Sequence, residues 1–248
     1  GTGAKGMKKL GFWKADWFIG LIVAVIMLIA SRGDLIQSLE RKAYDLGVQA
    51  AARTPSDRIA VIAIDDASIA NIGRWPWSRD VHARMIDLLA GAKAKVIVNT
   101  TFFFEPQRDA GLVYVEKLLN LHNELSADPK AAGNEGLARI GAVLSEAEQA
   151  LNTDRKLAGS MKAAGNVVLP LVFQQLAEPQ GNPDKPLPLY VLASGMAGPR
   201  GVDTLPPPGV FPLYPVAELG PAVAGIGHLN ADIDVDGAVR SEPLLVRY

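Results

Sequence analysis

Between Trp17 and Ala30 the chain runs for fourteen residues (WFIGLIVAVIMLIA) with no charge and no proline, and four lysines, Lys5, Lys8, Lys9 and Lys14, stand ahead of it. Nothing else in the sequence resembles this stretch. Fourteen helical residues cover about 21 Å, against a bilayer hydrocarbon core of about 30 Å. Length alone therefore fits a signal-peptide core, a buried helix or a span. Trp13, Trp17 and Phe18 cluster where amphipathic rings sit at headgroup level, Lys14 can snorkel, and apolar character resumes at Leu35 and Ile36. No A-x-A cleavage site follows, only Leu28-Ile-Ala-Ser-Arg32. The reading is an uncleaved transmembrane helix over 16–31, with a basic cytoplasmic tail over 1–15 and the bulk of the chain outside. The six residues ahead of Met7, GTGAKG, read as a cloning remnant and are set aside.

The remaining length suits one domain, and 49% hydrophobic residues argue against wholesale disorder. Basic and acidic residues number 25 and 26, net charge −1, with no basic stripe, so no nucleic-acid partner is expected. There is no cysteine, which excludes disulfide and thiol chemistry without fixing the compartment.

Leu35, Leu39, Ala43, Leu46 and Ala50 recur at helical spacing, and Pro55 stops that helix, giving a stalk over 32–54 that could run on from the membrane segment as one rod. Arg58 to Asp65 (RIAVIAID) reads as a buried strand, Arg79 to Gly91 as a helix with Met85, Ile86, Leu88 and Leu89 inward, and Lys95 to Phe104 as a second strand. That order is a parallel βαβ unit. Helices are expected over about 111–125 and 135–164, then a strand from Asn166 to Phe173 in which Pro170 suggests an edge or a bulge. Eleven of the seventeen prolines fall between Gln175 and Pro221, an irregular excursion. Two closing strands, 224–230 and 238–248, would be joined through Asp236-Gly237. The fold class is α/β: a mixed, mostly parallel sheet flanked by helices, behind a long N-terminal transmembrane and stalk helix, with the folded domain spanning 55–248.

The most unusual local sequence is IDDASIANIGRWPWSR, from Ile64 to Arg79. Asp65 and Asp66 end an expected strand, and strand C-termini in α/β sheets are where ligands bind. Trp75 and Trp77 bracket Pro76, and tryptophan faces bind cations or stack on flat ligands. The same residues also make sense as architecture: a proline-stiffened turn, two rings capping the core, and Arg79 paired with Asp65 or Asp66. Asp232-Ile-Asp-Val-Asp236-Gly237 matches the start of an EF-hand loop, but its twelfth position is Pro243, where a bidentate Glu is needed. A polar turn is the better reading. His82, His122 and His228 lack metal-ligand spacing, and Ser194 lacks a nucleophile-elbow context. No catalytic residue, metal site or cofactor is assigned.

With these residues in place, the chain resembles the second family of CHASE domains, the sensory modules associated with cyclases and histidine kinases. The resemblance rests on the N-terminal apolar helix, Tyr44-Asp45, the stretch IAVIAIDDASIANIGRWPWSR, the helix HARMIDLLAGAKAKVI, Phe104-Glu-Pro106 and Asp234-Val-Asp-Gly-Ala-Val-Arg240. One departure is that the family's acidic residue in the second strand falls near Asn99 or Thr100.

The resemblance implies an extracytoplasmic sensory module of a bacterial transmembrane receptor at the inner membrane, with a cytoplasmic N-terminus and a periplasmic domain. It implies control of a C-terminal adenylate or guanylate cyclase, or alternatively of a histidine or Ser/Thr kinase. Asp65, Asp66, Trp75, Trp77, Arg79, Asp236 and Arg240 are the ligand-sensing candidates. An extracytoplasmic ligand or protein, the lipid bilayer and a second copy of the chain are the expected partners. A membrane-tethered scaffold is the competing reading, and a metal-dependent periplasmic hydrolase using Asp65 and Asp66 a weaker one.

Overall fold

The computed structural model describes residues 16–31, 34–51, 54–107, 109–131, 133–178, 186–196, 198 and 206–248. They fall into two compact units, Gly1–Ile64 and Asp65–Tyr248.

The first unit holds α1 (Asp16–Ser31) and α2 (Asp34–Ala50). Apolar residues without a breaker make α1 helical where the sequence predicts it. The membrane-spanning reading is nevertheless corrected: no helix among the described residues is long and apolar enough to cross a membrane. Sixteen residues reach about 24 Å, short of the hydrocarbon thickness. α1 and α2 flank Arg32-Gly33, which lies outside the described residues, and the expected continuity of the two as one rod falls there too.

The strand expected from Arg58 to Asp65 is not formed. Ile59, Val61 and Ile62 are exposed and the segment pairs with no strand among the described residues. Apolar, β-branched composition favours extension but does not supply a neighbouring strand, and the βαβ unit is missing its first member.

The second unit is a mixed helix–sheet body. Its elements are α3 (Asp66–Ile72), α4 (Arg79–Gly91), β1 (Ile97–Val98), α5 (Ala110–Ser126), α6 (Glu135–Leu151), α7 (Thr153–Ala164), β2 (Val167–Gln175), α8 (Leu189–Leu192), β3 (Val210–Leu213), β4 (Gly225–His228), β5 (Asp232–Ile233) and β6 (Val239–Ser241). β2 is the centre of the sheet. It pairs in parallel with β1 (Ile97 with Val167) and with β4 (Leu169 with Ile226), and antiparallel with β3 (Phe173 with Pro212). β3 arises inside the proline-rich excursion, which is thus only partly irregular.

Pro170 is not on an edge strand, although at Pro170 itself only the β4 side is paired. It lies in the strand between β1 and β4, opposite Gly227. Its place follows from the ladder on the β1 side. The Ile97 and Asn99 N–H groups donate to Asn166 and Val168 carbonyls, and the next rung would require an N–H from residue 170. Proline has none, and β1 stops there.

α4 and α7 pack on this sheet. The core gathers Ala83 and Ile86 from α4, Leu157 and Met161 from α7, Val167 and Leu169 from β2, with Phe103, Val216 and Leu219 from connecting segments. The inward face of α4 is His82, Ala83 and Ile86; Leu88, expected inward, points to solvent. The helix expected over 135–164 is two helices. Asn152 ends α6 and caps α7, its side chain accepting from the Arg155 N–H at 3.0 Å while its own N–H reaches the Glu148 carbonyl. β5 and β6 form a hairpin through Asp236-Gly237, where Gly237 takes φ +82°. The closing strands therefore do not pair as one hairpin: β4 pairs with β2 instead.

Candidate functional site

The tryptophan turn is built by two adjoining helix ends. Asp65 caps α3, accepting from the Ser68 N–H at 2.8 Å and its hydroxyl at 2.5 Å. The Ser68 hydroxyl and then the Ser68 amide, by donating to the charged form, hold the Asp65 pKa below the ordinary carboxylate range. Asp66 opens the same helix and is exposed. α3 stops at Gly73, whose φ of +123° suits a residue without Cβ. The Gly73 carbonyl accepts from the Trp77 indole N–H at 2.7 Å, so that Trp77 can be buried with its polar atom satisfied. Trp75, joined to Pro76 by a cis peptide bond, is partly exposed and meets Trp77 edge-on at 5.4 Å.

Arg79 starts α4 beneath this turn. Its Nε donates to Asp154 Oδ1 at 2.9 Å, and its Nη2 donates to the Glu105 carbonyl at 2.8 Å. Its backbone N–H donates to Gln107 Oε1 at 2.7 Å, and its guanidinium lies over the Phe103 ring at 4.4 Å. Asp154 sits in the first turn of α7, where a carboxylate is favoured, and its second oxygen accepts from the Gln107 N–H at 2.7 Å. Both charged side chains are largely removed from solvent, and every oxygen of Asp154 has a donor. The lock ties α4, the 103–107 segment and α7 together.

His82, one turn along α4, is packed among Phe103 at 5.2 Å, Trp75 at 5.8 Å and Trp77 at 6.4 Å. Burial lowers its pKa below the ordinary histidine value, and the neighbouring Arg79 charge adds to that against an opposing pull from Asp80. The imidazole is neutral at pH 7.

The second group of candidates lies in the β5–β6 hairpin. Arg240 Nη1 donates to Asp234 Oδ2 and Asp236 Oδ1, and Nη2 to Asp236 Oδ2, each at 2.8 Å. Asp236 and Asp234 also accept from the Ala238 and Val235 amides. The guanidinium thus occupies the carboxylates that an EF-hand reading would give to calcium. Among the described residues, no group of three His, Asp or Glu side chains converges as a cation site.

A family model for the CHASE2 domain matches residues 21–248, nearly the whole chain and all of the site just described. The chain belongs to the CHASE2 family. CHASE2 is an extracytoplasmic sensory domain of bacterial receptors, and the chain is a sensory domain of signal transduction on that ground. No curated protein and no solved structure matches it.

Within this CHASE2 domain the candidates group unevenly. Trp75, Trp77 and Arg79 share one cluster. Asp65 and Asp66 adjoin it in sequence through α3, but Arg79 pairs with neither; its partner is Asp154. Asp236 and Arg240 bond to each other in the hairpin. The sequence reading missed Asp154, Gln107, Phe103 and His82. Asp154 was hidden inside a helix read as continuous. The signal was Asn152-Thr-Asp154, an N-cap residue followed by an acidic first turn. Ser194, discarded as a nucleophile, accepts from the Ile226 N–H at 3.0 Å. Chemically, the site is a packed aromatic and ionic lock with one partly open face at Trp75.

Proposed function

We propose that this CHASE2 domain is the sensing module of a receptor on the outer side of the bacterial cell membrane and that its output is an adenylate or guanylate cyclase. The observation that carries the sensing role is the position of Trp75: partly exposed on one side, and on the other in ring contact with Trp77 and His82, which lead to Phe103 and Arg79. A flat or cationic ligand stacking on Trp75 would bear on the Arg79–Asp154 lock through His82 and Phe103. It can shift the receptor only through unequal affinity for two arrangements of that lock. Asp65 and Asp66, which adjoin the tryptophan turn through α3, are proposed as flanking polar contacts.

The test is a fusion of the whole chain to a cyclase catalytic domain, read as cAMP in a cyclase-deficient host. Trp75→Ala should change the output severalfold while the purified domain keeps its melting temperature within a few degrees. An unchanged output from Trp75→Ala and Asp65→Ala, with both proteins folded, would make the lock purely architectural. A response obtained only when the chain is fused to a kinase module would replace the cyclase assignment.

A further inference from the structure

One apolar surface lies apart from the site. α5 carries two stripes. Leu112, Val115, Leu119 and His122 are buried or partly buried, and His122 meets α6 tightly: a Cβ on Gly141 would stand 2.5 Å from its ring, whose Nε2 is 2.9 Å from the Leu137 carbonyl. The other stripe, Tyr114, Leu118, Leu121 and Leu125, is open to solvent, each residue between 50% and 67% exposed. Its spacing of four, three and four is the heptad seam by which one helix packs on another. On α6, Ile140 and Val143 are 56% and 63% exposed. At about 100° per residue, both sets lie roughly a quarter-turn from the α5–α6 seam, on the same side of the hairpin. A shallow groove passes Gly136 and Arg139 on this face.

We propose that this face is the self-association surface of the domain and that its partner is a second copy packed antiparallel, α5 against α5. Charge complementarity selects the occupant and the direction. With the stripe set antiparallel, Leu118 faces Leu121 of the second copy and Tyr114 faces Leu125. Lys117 and Glu124 then flank the seam at equivalent heptad positions, and antiparallel packing brings Lys117 of each copy to Glu124 of the other, twice by symmetry. Neither side chain is in an ion pair among the described residues. Parallel packing would set Lys117 toward His122 instead. A bilayer is the poorer occupant: a membrane-surface helix carries a lysine- and arginine-rich polar face, whereas α5 carries Glu116 and Glu124 against Lys117, and α6 carries Glu135, Glu146 and Glu148 against Arg139. The face measures about 25 Å by 20 Å, on the order of 500 Å² per copy, at the low end for a stable complex, so the dimer is concentration-dependent.

The inference is independent of the receptor reading and is tested on the whole chain by sedimentation equilibrium, with cyclase output not involved. Leu118→Glu with Leu121→Glu should weaken association by tenfold or more while helix content is unchanged. Lys117→Glu should weaken it about fivefold, and adding Glu124→Lys should restore it, since two exposed pairs are reversed and then re-formed. The chain lacks cysteine, so introduced thiols report geometry cleanly. A mixture of Tyr114→Cys and Leu125→Cys chains should form the mixed disulfide, with little crosslinking of either alone. Crosslinking of each variant with itself would overturn the antiparallel arrangement. A wild-type chain monomeric at high concentration, or one that sediments with anionic vesicles through Leu118 and Leu121 while monomeric, would overturn the proposal.

Discussion

Two arginines in this domain hold carboxylates under opposite conditions. Arg79 meets Asp154 across 75 residues of chain, with 13% and 6% of their side chains exposed. Arg240, itself 14% exposed, meets Asp234 and Asp236 six and four residues away, and those carboxylates are 31% and 43% exposed. The chemistry is the same and the consequence is not. The distant pair closes a long loop and fixes α4 against α7. The local pair shapes a turn that Gly237 and the Asp234–Ala238 backbone bond already define. A guanidinium's worth is set by what its removal leaves behind: a stranded buried charge in the first case, a hydrated one in the second.

The largest expected effect tests that statement directly. Arg79→Ala should lower the unfolding free energy by about 3–5 kcal/mol, measured by urea titration, because Asp154 is left buried without its partner. Asp154→Leu combined with Arg79→Met should recover much of the loss. A cost for Arg79→Ala below about 1 kcal/mol would erase the contrast. Next comes Trp77→Phe, which keeps the ring but removes the bond to the Gly73 carbonyl, at about 1–2 kcal/mol.

Acidification gives a smaller, graded effect. His82 has a depressed folded pKa, so below about pH 6.5 the unfolded chain binds a proton that the folded chain resists. Stability should be complete above that pH and decline as pH falls toward the folded value, then level off. His82→Gln should flatten this part of the melting-temperature profile; an unchanged slope would show that another group is responsible. Smallest of all, Arg240→Ala should cost no more than about 1 kcal/mol, and less at high salt. A double-mutant cycle on Arg240 and Asp236 should give a coupling well below that for Arg79 and Asp154.

What could be read from the sequence follows local signals. α4 lies where its periodicity and Gly91 place it, α5 and β2 lie within two residues of expectation, and the Asp236-Gly237 turn is where its dipeptide predicts. Long-range pairing was not legible. Arg58 to Asp65 has strand composition and no strand partner, and β3 arises within a proline-rich stretch because β2 offers it an edge. The apolar run at Trp17 was read as a membrane span, and α1 is too short for one. At the site, the tryptophans and Arg79 stood out by composition. The counter-ion did not, because a bond across 75 residues leaves no mark in local spacing.

Pro170 also has an effect beyond its own strand. Because that residue cannot extend the zipper on the β1 side, the backbone after Asn99 is released from the sheet instead of continuing along it. Freed there, it dives inward, which seats Phe103 under the Arg79 guanidinium and lets the Phe103 carbonyl accept from the Val216 N–H at 2.9 Å. One imino acid in the middle of a sheet thus works as a stop that opens space for the sensor's interior.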